Sequence, residues 1–145
     1  MIRIALALRT LALAFWFGGG LATLVATSTV FAKTGDRKAA GDLAGAILER
    51  TGRVRDVTFF LMVLAIGLGA VDRAALLGLF CALLQGVGVV VNVLVRRARR
   101  AAGGSIEALP PGDPRRRRFA ALHGAAMLVL VVQVAAAGVG LALAG

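Results

Sequence analysis

Between Val57 and Val95 the chain runs 39 residues with a single charged interruption, Asp72-Arg73. As one helix this tract would extend about 58 Å, roughly twice the hydrocarbon core of a bilayer. It therefore has to fold back on itself, and the charged pair marks the turn. That puts one span at about 55–71 and another at about 74–95. The first of the two is short, so it needs to draw on its polar flank near Arg53 to reach both interfaces.

Two more blocks of the same kind flank the tract. Thr10–Phe31 is 22 residues long and carries no charge. The last block, at about 119–143, holds no Lys, Arg, Asp or Glu. Each is long enough to cross a membrane, for which about 20 apolar residues suffice. The fold class predicted is all-α, an integral membrane four-helix bundle in one domain. Arg3 followed by an apolar run has the look of a secretory leader, but the run outlasts the 7–15 residues of such a segment. Trp16 and the triplet Gly18-Gly19-Gly20 also suit close helix packing, which favours a retained helix.

The segments between the blocks are polar. In Thr34–Asp56, Ala39, Leu43, Ala46 and Ile47 recur at helical spacing among Asp42, Glu49, Arg50 and Arg53. Two outcomes fit: a short amphipathic helix at about 38–50 lying on the membrane surface, or a solvated helical loop. The 96–118 segment is a basic Pro/Gly loop. It opens with Arg96, Arg97, Arg99 and Arg100, passes through Gly103-Gly104 and Pro110-Pro111-Gly112, and closes with Arg115, Arg116, Arg117 and Arg118.

Charge sets the orientation. Of 17 Lys and Arg, 14 fall at Lys33 or in these two polar segments, and three fall on the other side. The basic side is predicted to be cytoplasmic, with both termini periplasmic, in a bacterial inner membrane. The net charge of +10 would suggest nucleic acid in a soluble domain. Here the cations border apolar blocks, so they serve as topology signals and contacts to anionic lipid head groups.

Lipid is as apolar as leucine, so small residues and polar contacts must hold such helices together. On the third span Gly78, Gln85 and Asn92 recur every seven residues, one stripe with a small residue and two amides. It is predicted to face protein, as a packing seam ahead of a substrate path. Trp16 is expected to pack against Gly18, Gly19 and Gly20. Asp72 is expected to pair locally with Arg73.

Candidates for chemistry are few. His123 is the one histidine, about a turn into the last span, and could ligate haem or a metal. A second ligand is missing: Met127 is on the same side of the same helix. Cys81 is alone, so it forms no internal disulfide. No Walker loop, HExxH or GxSxG is present. No cofactor is expected and the protein is expected not to be an enzyme.

Three short elements carry a resemblance. They are Phe15-Trp16-Phe17-Gly18-Gly19-Gly20, then Ala40-Gly41-Asp42-Leu43-Ala44-Gly45, and Arg118-Phe119-Ala120-Ala121-Leu122-His123 at the start of the last span. In this order the chain resembles the transmembrane-protein-205-like domain family, small bacterial four-helix membrane proteins defined as a domain of unknown function. The resemblance implies the four-helix fold over nearly the whole chain. A polar Ser or Asn is expected after the histidine, where Ala125, Ala126 and Met127 stand here.

The functional expectation is a protein that works by association, an accessory or structural subunit of a larger membrane complex such as a respiratory or photosynthetic one. Its partners would be other membrane chains or itself. The alternatives are small-solute, metal or drug tolerance and transport, for which Gln85, Asn92 and His123 would share a cavity, and a redox protein using His123.

Overall fold

A computed structural model describes residues 1–104, 106 and 108–145, with the side chain of Arg37 set aside. Ser105 and Glu107 of the basic loop lie outside the described residues. Four long helices follow one another: α1 (Ile2–Lys33), α2 (Arg37–Gly67), α3 (Arg73–Ala101) and α4 (Pro114–Ala142). Each packs against its sequence neighbours, and α4 closes the ring against α1. Three of the four, α1, α3 and α4, are long and apolar enough to cross a membrane.

Three of the helices start on an aspartate. Asp36, Asp72 and Asp113 each accept a hydrogen bond from a backbone N–H of the first turn, at 2.8 Å. Such a cap satisfies one of the donors that every helix start leaves unpaired. Pro114 occupies the first turn of α4, where its missing N–H costs nothing. The four arginines expected to end a loop thus form the first turns of that helix. At the end of α2, Gly69 takes a φ of +98° and the Ala70 N–H returns to the Ala65 carbonyl. That left-handed step lets the chain reverse into α3, and a side chain there would be strained.

The amphipathic stretch at 38–50 is not a separate helix: α2 runs unbroken from Arg37 through it to Gly67. The reason is a single continuous inner face. Ala40, Ala44, Arg55, Thr58, Met62 and Ala65 are buried. With the half-buried Ile47 and Thr51 they recur every three or four residues along the whole helix, packed on α1 and α3. No proline interrupts the run. The sequence expectation divided it at the change from polar to apolar, and that change affects only the outer face.

Glycines set the closest approaches. A side chain at Gly20 would collide with Val134 of α4, and one at Gly78 with Met62 of α2. Gly140 lies against Leu13, where a Cβ would stand 2.9 Å from a methyl group. Gly18 and Gly19 meet nothing within 4 Å. Trp16 therefore does not pack on Gly18 or Gly19. It is fully buried among Ala12, Leu13, Met62, Cys81, Ala82 and Ala137.

At the end of the bundle that holds both termini, Asp72 does not pair with Arg73. Its Oδ1 caps Ala75, and its Oδ2 accepts a charge-assisted hydrogen bond from Arg9 of α1. Arg9 also donates to the Ala144 carbonyl at 3.2 Å. One guanidinium thus joins α1, the start of α3 and the end of α4. The Asp72 backbone is extended at this cap, and both carboxylate oxygens are already engaged, by Ala75 and by Arg9. The Arg9 side chain is 4% exposed and that of Asp72 43%. A pair this dry on one side is more than a surface ion pair.

Asp72→Ala should lower stability by about 1–2 kcal/mol through the lost cap alone, and further through the stranded Arg9. Asp72→Asn should keep the cap and lose only the pair. Thermal melts of the three proteins in mild detergent should rank wild type, Asn, Ala, from most to least stable.

Candidate functional site, a charge pair closed through two glutamines

Arg55 and Asp56 are adjacent in α2, at the border between its polar and apolar parts. Helical geometry separates neighbours by about 100°, so one turns inward and the other outward. Arg55 is 8% exposed and Asp56 stands on the exposed side. The two are then linked through the bundle. Arg55 Nη1 donates to Gln133 Oε1 of α4 at 3.5 Å. Gln133 Nε2 donates to Gln85 Oε1 of α3 at 3.4 Å. Gln85 Nε2 donates to Asp56 Oδ1 at 2.7 Å.

All three hydrogen bonds run in one direction, from the cation to the anion. Each amide accepts on the side of the arginine and donates on the side of the carboxylate, so both amide dipoles favour the charge separation. Gln133 is buried to 1% exposure, and its Nε2 also donates to the Cys81 carbonyl at 2.8 Å. The Cys81 thiol lies 3.6 Å from the Gln133 carbonyl. The network ties α2, α3 and α4 together at one level. Among the described residues three buried donors have no partner: Arg55 Nε and Trp16 Nε1 near this level, and Arg9 Nε at the terminal end.

This level is deep. Gln85 has eleven uncharged residues before it in α3, back to Ala74, and ten after it, to Val95. It sits at the middle of that apolar run. Asp56 on α2 is therefore level with the centre of the most apolar part of its neighbour.

The stripe Gly78, Gln85, Asn92 divides. Gly78 receives Met62 and Gln85 joins the network. Asn92 is half-buried and makes no hydrogen bond among the described residues. His123 is half-buried with its ring stacked on Phe119, centroids 5.8 Å apart and planes 6° from parallel. Ten residues, or about 15 Å of helix, separate it from Gln133. The structure thus does not gather Gln85, Asn92 and His123 around one site. Among the described residues, no three of His, Cys, Asp and Glu come together as a metal site would need.

The basic end forms a second, looser arrangement. Arg99 reaches across to Asp42 of α2 at 2.6 Å and lies over Gly41 and Gly45. Asp113 holds Arg115 at 2.9 Å. The Arg115 side chain holds the Asp113 carboxyl below its ordinary range, by hydrogen bond first, and the guanidinium is raised in return. Arg116 and Arg117 donate to the carbonyls of Leu109 and Gly112. Arg96, Arg97, Arg100 and Arg118 are exposed.

Sequence reasoning picked out Gln85 and passed over Arg55 and Asp56, which read as a polar flank. The signal was there: extending the inner stripe of Ala40 and Ala44 along α2 lands on Arg55, inside the bundle.

Gln133→Leu should cost about 1–3 kcal/mol, since it leaves Arg55 and Gln85 without their partner. Combining it with Arg55→Met should cost less than the sum of the two single changes, because the double variant strands no charge. Detergent melts of the four proteins check both expectations.

No family model, no curated protein and no solved structure matches this chain.

Proposed function

We propose that this is a non-enzymatic integral membrane protein that acts by association, as an accessory or structural subunit of a larger membrane assembly. One observation carries the proposal. Helix α2 is bundled with three helices apolar enough to span a membrane, yet its outer face carries Glu49, Arg53 and Asp56, all exposed. Lipid cannot hydrogen-bond such groups, and an ionisable residue at the depth of Asp56 turns toward protein or a water-filled cavity. A single copy of the chain gives Asp56 one partner, Gln85, and pairs Glu49 and Arg53 only with each other, all three on the outer face, and in this reading another polypeptide covers them.

In this proposal all four helices sit in the bilayer, α2 completing the bundle with its polar half shielded. The end holding Arg96–Arg100 and Arg115–Arg118 faces the cytoplasm, where anionic lipid attracts it, and both termini face the opposite side. The buried network of Arg55, Gln85 and Gln133 fixes the helices and keeps the outer face of α2 in one orientation. The long exposed apolar rows elsewhere, Leu76 and Leu83 on α3 or Leu128 and Val139 on α4, suit lipid contact.

Purification from native membranes in mild detergent tests the proposal. The expected particle holds more than one chain at fixed stoichiometry, with its composition read by mass spectrometry. A particle containing a single 14.8 kDa chain and lipid alone would contradict it.

A further inference from the structure

A groove of about 520 Å³ opens at the terminal end of the bundle, between α1 and Ala144 just past the end of α4. Leu6, Ala7, Leu11 and Ala14 line it with apolar surface, and its polar part is Arg9 and Thr10. Arg9 Nη2 lies 3.5 Å from the Thr10 hydroxyl and donates to the Ala144 carbonyl at 3.2 Å, so that edge of the guanidinium is at the groove. The Thr10 hydroxyl donates its own proton to the Leu6 carbonyl at 3.0 Å. The Arg9 side chain is 4% exposed, and its Nε has no partner. What this corner still lacks is an acceptor, and a buried donor left without one is costly.

The groove continues as a trough along the outer side of α1. Arg3, Ala7, Thr10, Ala14 and Gly18 follow at intervals of four, three, four and four, one face of the helix, and all five are exposed. A Cβ at Gly18 would meet nothing within 4 Å. At 100° per residue Leu6 and Phe17 stand on one flank of these small residues, Leu11 and Phe15 on the other. Thr10 opens the uncharged block of α1. From there to Gly18 is about 12 Å, close to the ~15 Å of hydrocarbon in one leaflet. Arg3, one turn beyond Ala7, makes no ion pair among the described residues. Asp72, the acid at this end, is taken by Arg9 and Ala75.

We propose that the groove holds one anionic phospholipid, its phosphate at Arg3, its ester oxygens at the Arg9 and Thr10 corner, and an acyl chain along Ala14 and Gly18. Phosphate and ester oxygens accept, which matches a corner that lacks an acceptor and a rim with a free cation. A water molecule there would leave Arg3 unpaired and the trough bare. The site needs the membrane setting of the function proposed above and is independent of any partner chain.

The test takes the full-length chain, stripped of lipid in mild detergent, titrates it with phosphatidylglycerol and counts bound lipid by native mass spectrometry. Arg96→Gln, Arg97→Gln and Arg100→Gln are present throughout, to remove competing cations at the other end. One lipid per chain should stay bound. Ala14→Trp, which fills the trough, and Arg3→Gln should each weaken it about tenfold, the worth of one charged contact. Ala135→Trp, also exposed but on α4, should leave it unchanged, and excess inorganic phosphate should not displace it. Absence of a bound lipid, or unchanged affinity in Ala14→Trp or Arg3→Gln, overturns the site. Displacement by inorganic phosphate reduces it to an anion site and overturns the lipid. A photoreactive benzophenone analogue of phenylalanine at Phe15, irradiated in the native membrane, should give phospholipid adducts. An adduct to another polypeptide there overturns the lipid and leaves the association reading standing. Release of the chain from membranes by alkaline carbonate overturns both.

Discussion

A carboxylate level with the middle of an apolar helix is the constraint around which the bundle is organised. In the membrane setting proposed above, an ionised side chain at that level costs about 2.5–3.5 kcal/mol. Asp56 is held by Gln85, which is held by Gln133, which receives Arg55. Because the last residue of that loop is the chain neighbour of the first, charge closes on itself with no net ion added to the interior. The loop takes two side chains from α2 and one each from α3 and α4, so none of these helices can slide or rotate without breaking it. Buried polar networks are known to specify register in this way, and here the register decides which face of α2 looks outward.

The two ends of the bundle are handled differently. At the terminal end, Arg9 closes α1, α3 and α4 on a single capped aspartate. At the other end, Arg99 with Asp42 and Arg115 with Asp113 pair two of the cations, and Arg96, Arg97, Arg100 and Arg118 are exposed. An end rich in free arginine next to apolar helices suits an anionic leaflet. Between the ends the helices approach closely at small residues, Gly20 under Val134 and Gly78 under Met62.

Much of this was legible in the sequence because charge is excluded from long apolar helices. The uncharged blocks gave three of the helices and the Asp72 turn, and the seven-residue repeat of Gly78 and Gln85 marked a protein-facing stripe. What could not be read were relations between distant residues. Arg9 and Asp72 are 63 positions apart, and nothing in either neighbourhood announces the other. The continuity of α2 was hidden for a different reason. Its outer face changes from polar to apolar near Asp56, its inner face does not, and a reading by average polarity follows the outer face. Asn92 shows the limit of periodicity: it holds its place in the repeat and finds no partner among the described residues.

The central claim is that the charged outer face of α2 lies at hydrocarbon depth and against protein. Spin labels placed one at a time along 46–67 in liposomes, with relaxation by oxygen and by a water-soluble nickel chelate, measure both properties together. At Arg53, Asp56 and Phe60 the account predicts low access to both reagents, while Leu83 and Leu128 show the high oxygen access of lipid-facing sites. High nickel access at Arg53 and Asp56 would put that face in water, and high oxygen access would put it in bare lipid; either result would contradict the account.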